Sequence, residues 1–133
     1  MAGERILVVE DNDANLRLVT FLLSSKGYDV RGAGDAQQAL LLLETFRPRM
    51  ILMDLQLPGT DGYSLTRRLK ADPSSRDILI IALTAFAMRG DEQKAMAAGC
   101  NGYITKPIDT RALPSRIAEY LASQRPEPPQ EAT

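Results

Sequence analysis

Three short apolar runs constrain this chain more than any other feature: Ile6 to Val9, Met50 to Met53 and Ile78 to Leu83. Each is rich in Ile, Leu or Val, none alternates apolar with polar residues, and each stops at a polar residue. A strand with one wet face must alternate, so runs without alternation belong to strands covered on both faces, as in a parallel sheet. Two weaker strand candidates, Tyr28 to Arg31 and Gly102 to Thr105, fall between and after them.

The intervening segments carry helical spacing. Leu16, Val19, Leu22 and Leu23 share a face ahead of Gly27; Ala36, Ala39, Leu40 and Leu43 share another ahead of Pro48. A third helix is expected from Gly62 to Ala71, with Pro73 beyond its end, and a fourth from Asp91 to Ala98, closed by Gly99. The last, Ala112 to Ala122, sets Leu113, Ile117, Tyr120 and Leu121 on one stripe, and Pro114 requires that it begin near Leu113 or open irregularly. Strand and helix thus alternate five times, which predicts an α/β chain with a flavodoxin-like (βα)5 three-layer sandwich around a five-stranded parallel sheet. The 133 residues suit one domain, residues 1–123, with the Pro-rich polar stretch 124–133 expected to be disordered.

In such a sheet ligands sit beyond the carboxyl ends of the strands, close to where strand order reverses. Glu10 and Asp11 follow the first run, Asp54 the third, Thr84 the fourth and Lys106 the fifth. Singly, each is ordinary: acids after strands cap helices and lysines are solvated. Together, three carboxylates crowded at one point repel one another unless a hard cation sits among them, and magnesium, with its demand for oxygen ligands, suits Glu10, Asp11, Asp54 and the main-chain carbonyl of Gln56. Lys106 and Thr84 would then meet phosphoryl oxygens, a site for phosphoryl transfer. With no histidine in the chain and its one thiol, Cys100, following a glycine, the nucleophile must be a carboxylate, and Asp54 is the candidate.

Composition closes other routes. Sixteen basic against seventeen acidic residues, net −1, leave no excess to bind nucleic acid. No apolar run is long enough to span a membrane, and the start, MAGERILVVE, is charged where a signal peptide is apolar, so a cytoplasmic location is expected. Cys100 has no partner for a disulfide and reads as a small core thiol.

The stretches ILVVEDND, ILMDLQLPGTDG, IIALTAFA and GYITKPID resemble, in order and spacing, the receiver domain of two-component response regulators, over Glu4 to Ser123. The resemblance implies that Asp54 accepts a phosphoryl group from a histidine of a partner kinase or phosphotransfer protein, with magnesium held by Glu10, Asp11, Asp54 and the Gln56 carbonyl. It implies that Thr84 and Lys106 contact the phosphoryl group, that Thr84 and Tyr103 form the switch, and that the Lys106–Pro107 peptide is cis. The protein would then be a phosphoacceptor signalling domain without free-substrate turnover, acting on a downstream protein through the face of helix 4, strand 5 and helix 5, with room for a weak dimer. The motifs look most like stand-alone cell-cycle and developmental regulators, and like the receivers of hybrid kinases. Glu10 stands where many members have Asp, and Leu57 replaces a frequent Met. Two other readings share parts of the pattern. A haloacid-dehalogenase-type phosphatase also uses a strand-end Asp, but no acidic pair ends the fourth run; a flavin site wants a Gly, Ser and Thr loop after Val9, which here is acidic.

Overall fold

The computed structural model describes residues 3–56, 62–84, 89–106 and 108–123, with main chain only for 89–92. The elements run β1 (Arg5–Val9), α1 (Asp13–Ser24), β2 (Asp29–Ala33), α2 (Ala36–Leu42), β3 (Met50–Asp54), α3 (Gly62–Ala71), β4 (Leu79–Thr84), α4 (Arg89–Ala98), β5 (Gly102–Thr105) and α5 (Leu113–Ser123). All strands are parallel, in the order β2-β1-β3-β4-β5. The expected flavodoxin-like (βα)5 sandwich is what forms.

The missing alternation in the three apolar runs has a direct structural cause. Successive side chains of a strand point to opposite faces, and here both faces are covered. Leu7, Val9, Ile51, Met53, Ile80 and Ala82 enter one core with Ala39, Leu65, Leu69 and Ala95 of α2, α3 and α4. Ile6, Val8, Met50, Leu52, Ile81 and Leu83 enter the other with Val19 and Leu23 of α1 and Leu113, Ile117 and Leu121 of α5. Full burial of each such side chain contributes roughly 1.5–3 kcal/mol, so the central strands are the least negotiable part of the fold.

Helix ends follow local chemistry. The Asn12 side chain accepts the Asn15 N–H at 2.9 Å to cap α1, and Asp35 accepts the Gln38 N–H at 2.8 Å to cap α2. Pro114 is the second residue of α5, within the first turn, where its missing N–H costs no helical hydrogen bond. The Asp109 carboxylate meanwhile accepts the N–H groups of Arg111 and Ala112 just ahead. The helix is therefore regular from Leu113, which settles the choice the sequence left open.

Boundaries differ from expectation at most elements: β1 starts one residue early at Arg5, β3 runs one further to Asp54, and α5 is shifted one on, to Leu113–Ser123. β2 occupies Asp29–Ala33 rather than Tyr28 to Arg31, because it pairs residue for residue with β1, Arg5 against Asp29 through Val9 against Ala33; an edge strand takes its register from its neighbour. β4 is shifted one residue on, to Leu79–Thr84, α2 ends one residue early, at Leu42, and α4 starts at Arg89, ahead of Asp91. Pro107 and the segment 124–133 lie outside the described residues, and with them the expected cis peptide and tail.

Candidate active site

The sheet order reverses between β1 and β3: the chain moves outward from β1 to β2, then crosses back to β3 on the other side. Crossovers leaving in opposite directions open a crevice at the carboxyl ends of these two strands. Glu10 and Asp11 stand at one lip and Asp54 at the other, with a carboxylate oxygen from each lying within 4.8 Å of the others. Glu10 is 1% exposed and Asp54 3%, while Asp11 is open to solvent.

Lys106, one residue beyond β5, reaches into this cluster. Its Nζ lies 2.9 Å from Glu10 Oε1, 3.2 Å from Glu10 Oε2 and 3.4 Å from Asp54 Oδ2. Main-chain groups add little. Asn12 N–H donates to Glu10 Oε2 at 3.2 Å and Gln56 N–H to Asp54 Oδ1 at 3.0 Å. Glu10 Oε1 is buried and has no hydrogen-bond partner among the described residues; the Lys106 ammonium 2.9 Å away matches its charge. Among the described residues one ammonium stands beside three carboxylates, which leaves the cluster short of positive charge.

The titration of these groups reflects that shortfall. Asp54 is raised above the ordinary carboxylate range, first by burial and then by Glu10, against the pull of the Gln56 N–H and Lys106. Asp11 is raised by lost hydration and by Asp54. Burial alone would lower Lys106, but Glu10 and Asp54 outweigh it and raise the ammonium. Several convergent oxygen donors, one of them a buried oxygen without a hydrogen bond, are what a hard divalent cation requires; the residues present fit such an ion.

Thr84 ends β4, is 5% exposed, and faces Thr105 in register; its carbonyl accepts the Lys106 N–H at 2.7 Å. Hydroxyl-bearing and ammonium-bearing residues are thus tied by their main chains. Tyr103 is not in the cluster. It sits half-buried on β5 with its ring against the core of the α2, α3 and α4 layer. The structure therefore gathers Glu10, Asp11, Asp54 and Lys106, sets Thr84 at the neighbouring strand end, and holds Tyr103 farther back along β5.

Two positioning residues escape a motif-level reading. Asn12 both caps α1 and donates to Glu10, which anchors the acidic loop to a helix start. Gly62 opens α3 against the end of β3, where a Cβ would lie 2.4 Å from the Asp54 carbonyl oxygen and 2.7 Å from Leu55 Cα. Only glycine permits this approach. An Asn ahead of a helical run was a legible cap signal, whereas nothing local marks the Gly62 contact.

Known proteins agree with this geometry. The family model for the response regulator receiver domain matches residues 6–118. The polar-differentiation response regulator DivK of Brucella anthropi is 41% identical over 116 residues, covering 87% of this chain and 94% of that protein. Among solved structures, the receiver domain of sensor histidine kinase PA1611 from Pseudomonas aeruginosa PAO1, with a magnesium ion coordinated in its active site cleft, is 40% identical with a TM-score of 0.82, over 91% of this chain and 99% of that one. The signal receiver domain of a histidine kinase from Syntrophus aciditrophicus is 30% identical with a TM-score of 0.84, over 98% of this chain and all of that one. With the family model matching residues 6–118 and the relatives agreeing over most of the chain's length, this chain belongs to the response regulator receiver domain family.

Proposed function

We propose that this protein signals by accepting a phosphoryl group on Asp54 from a phosphorylated histidine of a partner kinase or phosphotransfer protein. The observation that carries this reading is the placement of a buried, strand-end Asp54 carboxylate within reach of both a second acidic pair and the Lys106 ammonium. In the transfer an Asp54 oxygen forms a bond to phosphorus as the phosphorus–nitrogen bond breaks. The imidazole leaves with the electron pair and takes a proton from solvent. None of the 133 residues is a histidine, so the donor imidazole lies outside this sequence.

Glu10, Asp11, Asp54 and the Gln56 main-chain carbonyl would hold magnesium, which when bound supplies positive charge to the acids and to the incoming phosphoryl oxygens; the magnesium in the PA1611 receiver supports this. Lys106 stabilises negative charge on the transferred group, and Thr84 offers a hydroxyl to it. Thr84 and Tyr103 form the switch that reshapes the face of α4, β5 and α5 for a downstream protein. The match to 94% of the length of DivK favours the stand-alone regulator over the hybrid-kinase receiver. No helix among the described residues is long and apolar enough to cross a membrane.

The test is the intact mass after incubation with acetyl phosphate and magnesium, beside Asp54→Ala and a chelator control. One added phosphoryl group, lost in both controls, is the expected result. An adduct that persists in Asp54→Ala would assign the acceptor elsewhere and overturn the reading.

A further inference from the structure

Strand β5 forms one edge of the sheet, and α5 packs back over it. A Cβ on Gly102 would lie 2.4 Å from Tyr120 Cε1 and 2.6 Å from both Cζ and the hydroxyl oxygen. The Tyr120 ring is therefore seated on the main chain of β5, where a Cβ in place of the Gly102 hydrogen would force the ring to shift. From that seat the hydroxyl lies 3.4 Å from the carbonyl oxygen of Tyr103, and Arg116 Nη2 donates to the same oxygen at 3.2 Å.

The two α5 residues support each other. They stand one helical turn apart, with the Arg116 guanidinium 5.9 Å from the Tyr120 ring centroid and its Nη2 3.5 Å from the hydroxyl. Each polar contact is long for a hydrogen bond, yet both converge on one oxygen that the seated ring already locates. Tyr103 is consequently contacted from both layers, its half-buried ring packed against the core beneath α2, α3 and α4 and its carbonyl approached from α5. A cavity of about 260 Å³ lies beside these contacts, lined by Ile108, Asp109 and Leu113 as well as both α5 residues.

We infer that Arg116 and Tyr120 are positioning residues that fasten α5 to β5 at Tyr103, so that a change at Tyr103 on phosphorylation of Asp54 reaches α5 through the strand's main chain. This rests on the phosphoacceptor reading above and adds the route by which the site would move one helix of its output face. Neither residue belongs to the acidic cluster, so phosphorylation itself should not need them. Packing without transmission would make the same contacts but would leave the response of α5 independent of them.

The experiment compares wild type with Arg116→Met/Tyr120→Leu, each treated with acetyl phosphate and magnesium, with intact mass giving the extent of phosphorylation and amide resonances of Ser115 to Ser123 giving the response of α5. The expected result is equal phosphorylation, with the α5 shift changes seen in wild type lost in the variant while those around Asp54 persist. If the variant is phosphorylated and α5 responds as in wild type, or if phosphorylated wild type shows no α5 response, the inference is overturned while the acceptor reading stands. If wild type takes no phosphoryl group, the acceptor reading falls and carries the inference with it. Should the double variant melt too early to measure, Arg116→Met/Tyr120→Phe, which keeps the seated ring, carries the same comparison.

Discussion

Asp54 is where stability and function pull apart. A carboxylate 3% exposed, beside a fully buried Glu10 side chain, raises the free energy of the folded protein in its ionised form, as its elevated titration shows. Asp54→Asn keeps an oxygen for the Gln56 N–H and gains an N–H₂ toward Glu10, so the variant should be more stable than wild type without metal, by about 1 kcal/mol or on the order of 4 °C in Tm. The sign with pH follows from the direction of the shift. A carboxyl raised in the folded state binds protons more tightly there than in the unfolded chain, so its penalty is full above the raised value and vanishes as pH falls through it. In chelator, the stability gap between Asp54→Asn and wild type should therefore close as the buffer moves from about pH 7 toward the ordinary carboxylate range near 4; a gap that widened instead would refute the assignment. Lys106→Met has the opposite effect, since it strips the ammonium that Glu10 Oε1 has as its counter-charge. With the ammonium partly solvated, the expected loss in chelator is about 2 kcal/mol by urea denaturation. Glu10, Asp11, Asp54 and Lys106 were all legible in the sequence because each lies within two residues of the end of a strand run. What no local pattern could give was the mismatch of charge among them, which depends on side chains far apart in sequence.

At the level of elements, the position of Asp54 depends on how closely α3 approaches β3. Gly62→Ala would drive a Cβ into the Asp54 carbonyl oxygen and Leu55 Cα, main-chain atoms that cannot rotate aside. The expected cost is about 2–3 kcal/mol in urea denaturation, with a fall in the rate of phosphoryl uptake from acetyl phosphate as the acceptor loop shifts. A Gly62→Ala protein with wild-type stability would show that the loop yields freely. The same distinction, local signal against tertiary distance, explains which elements were readable. β1, β3 and β4 announced themselves because burial on both faces leaves an unbroken apolar run. β2 did not, since an edge strand with exposed Arg31 and Gly32 has little apolar pattern and takes its limits from β1. The start of α4 at Arg89 carries no apolar residue to mark it.

Over the whole molecule, two continuous cores, one on each face of the sheet, supply the stability against which a strained cluster of acids can be held. The net charge of −1 hides this arrangement, because what matters is that three of the acids share one end of the sheet. A cation that binds only the folded arrangement stabilises it by mass action, about 2.7 kcal/mol at a hundred times Kd. Wild type should accordingly gain stability steeply with magnesium. Asp54→Asn, lacking one charged ligand, should gain much less, so the order of the two proteins should invert: the variant the more stable in chelator, wild type the more stable at saturating magnesium. Lowering the pH toward the raised titration of Asp54 and Asp11 should shrink the gain in wild type, since protons and metal compete for the same oxygens. Urea midpoints measured for both proteins across a magnesium titration decide the matter without any reading of activity. Parallel gains would mean that the ion binds elsewhere, whereas the inversion would tie the strain in the free protein to the site that the metal relieves.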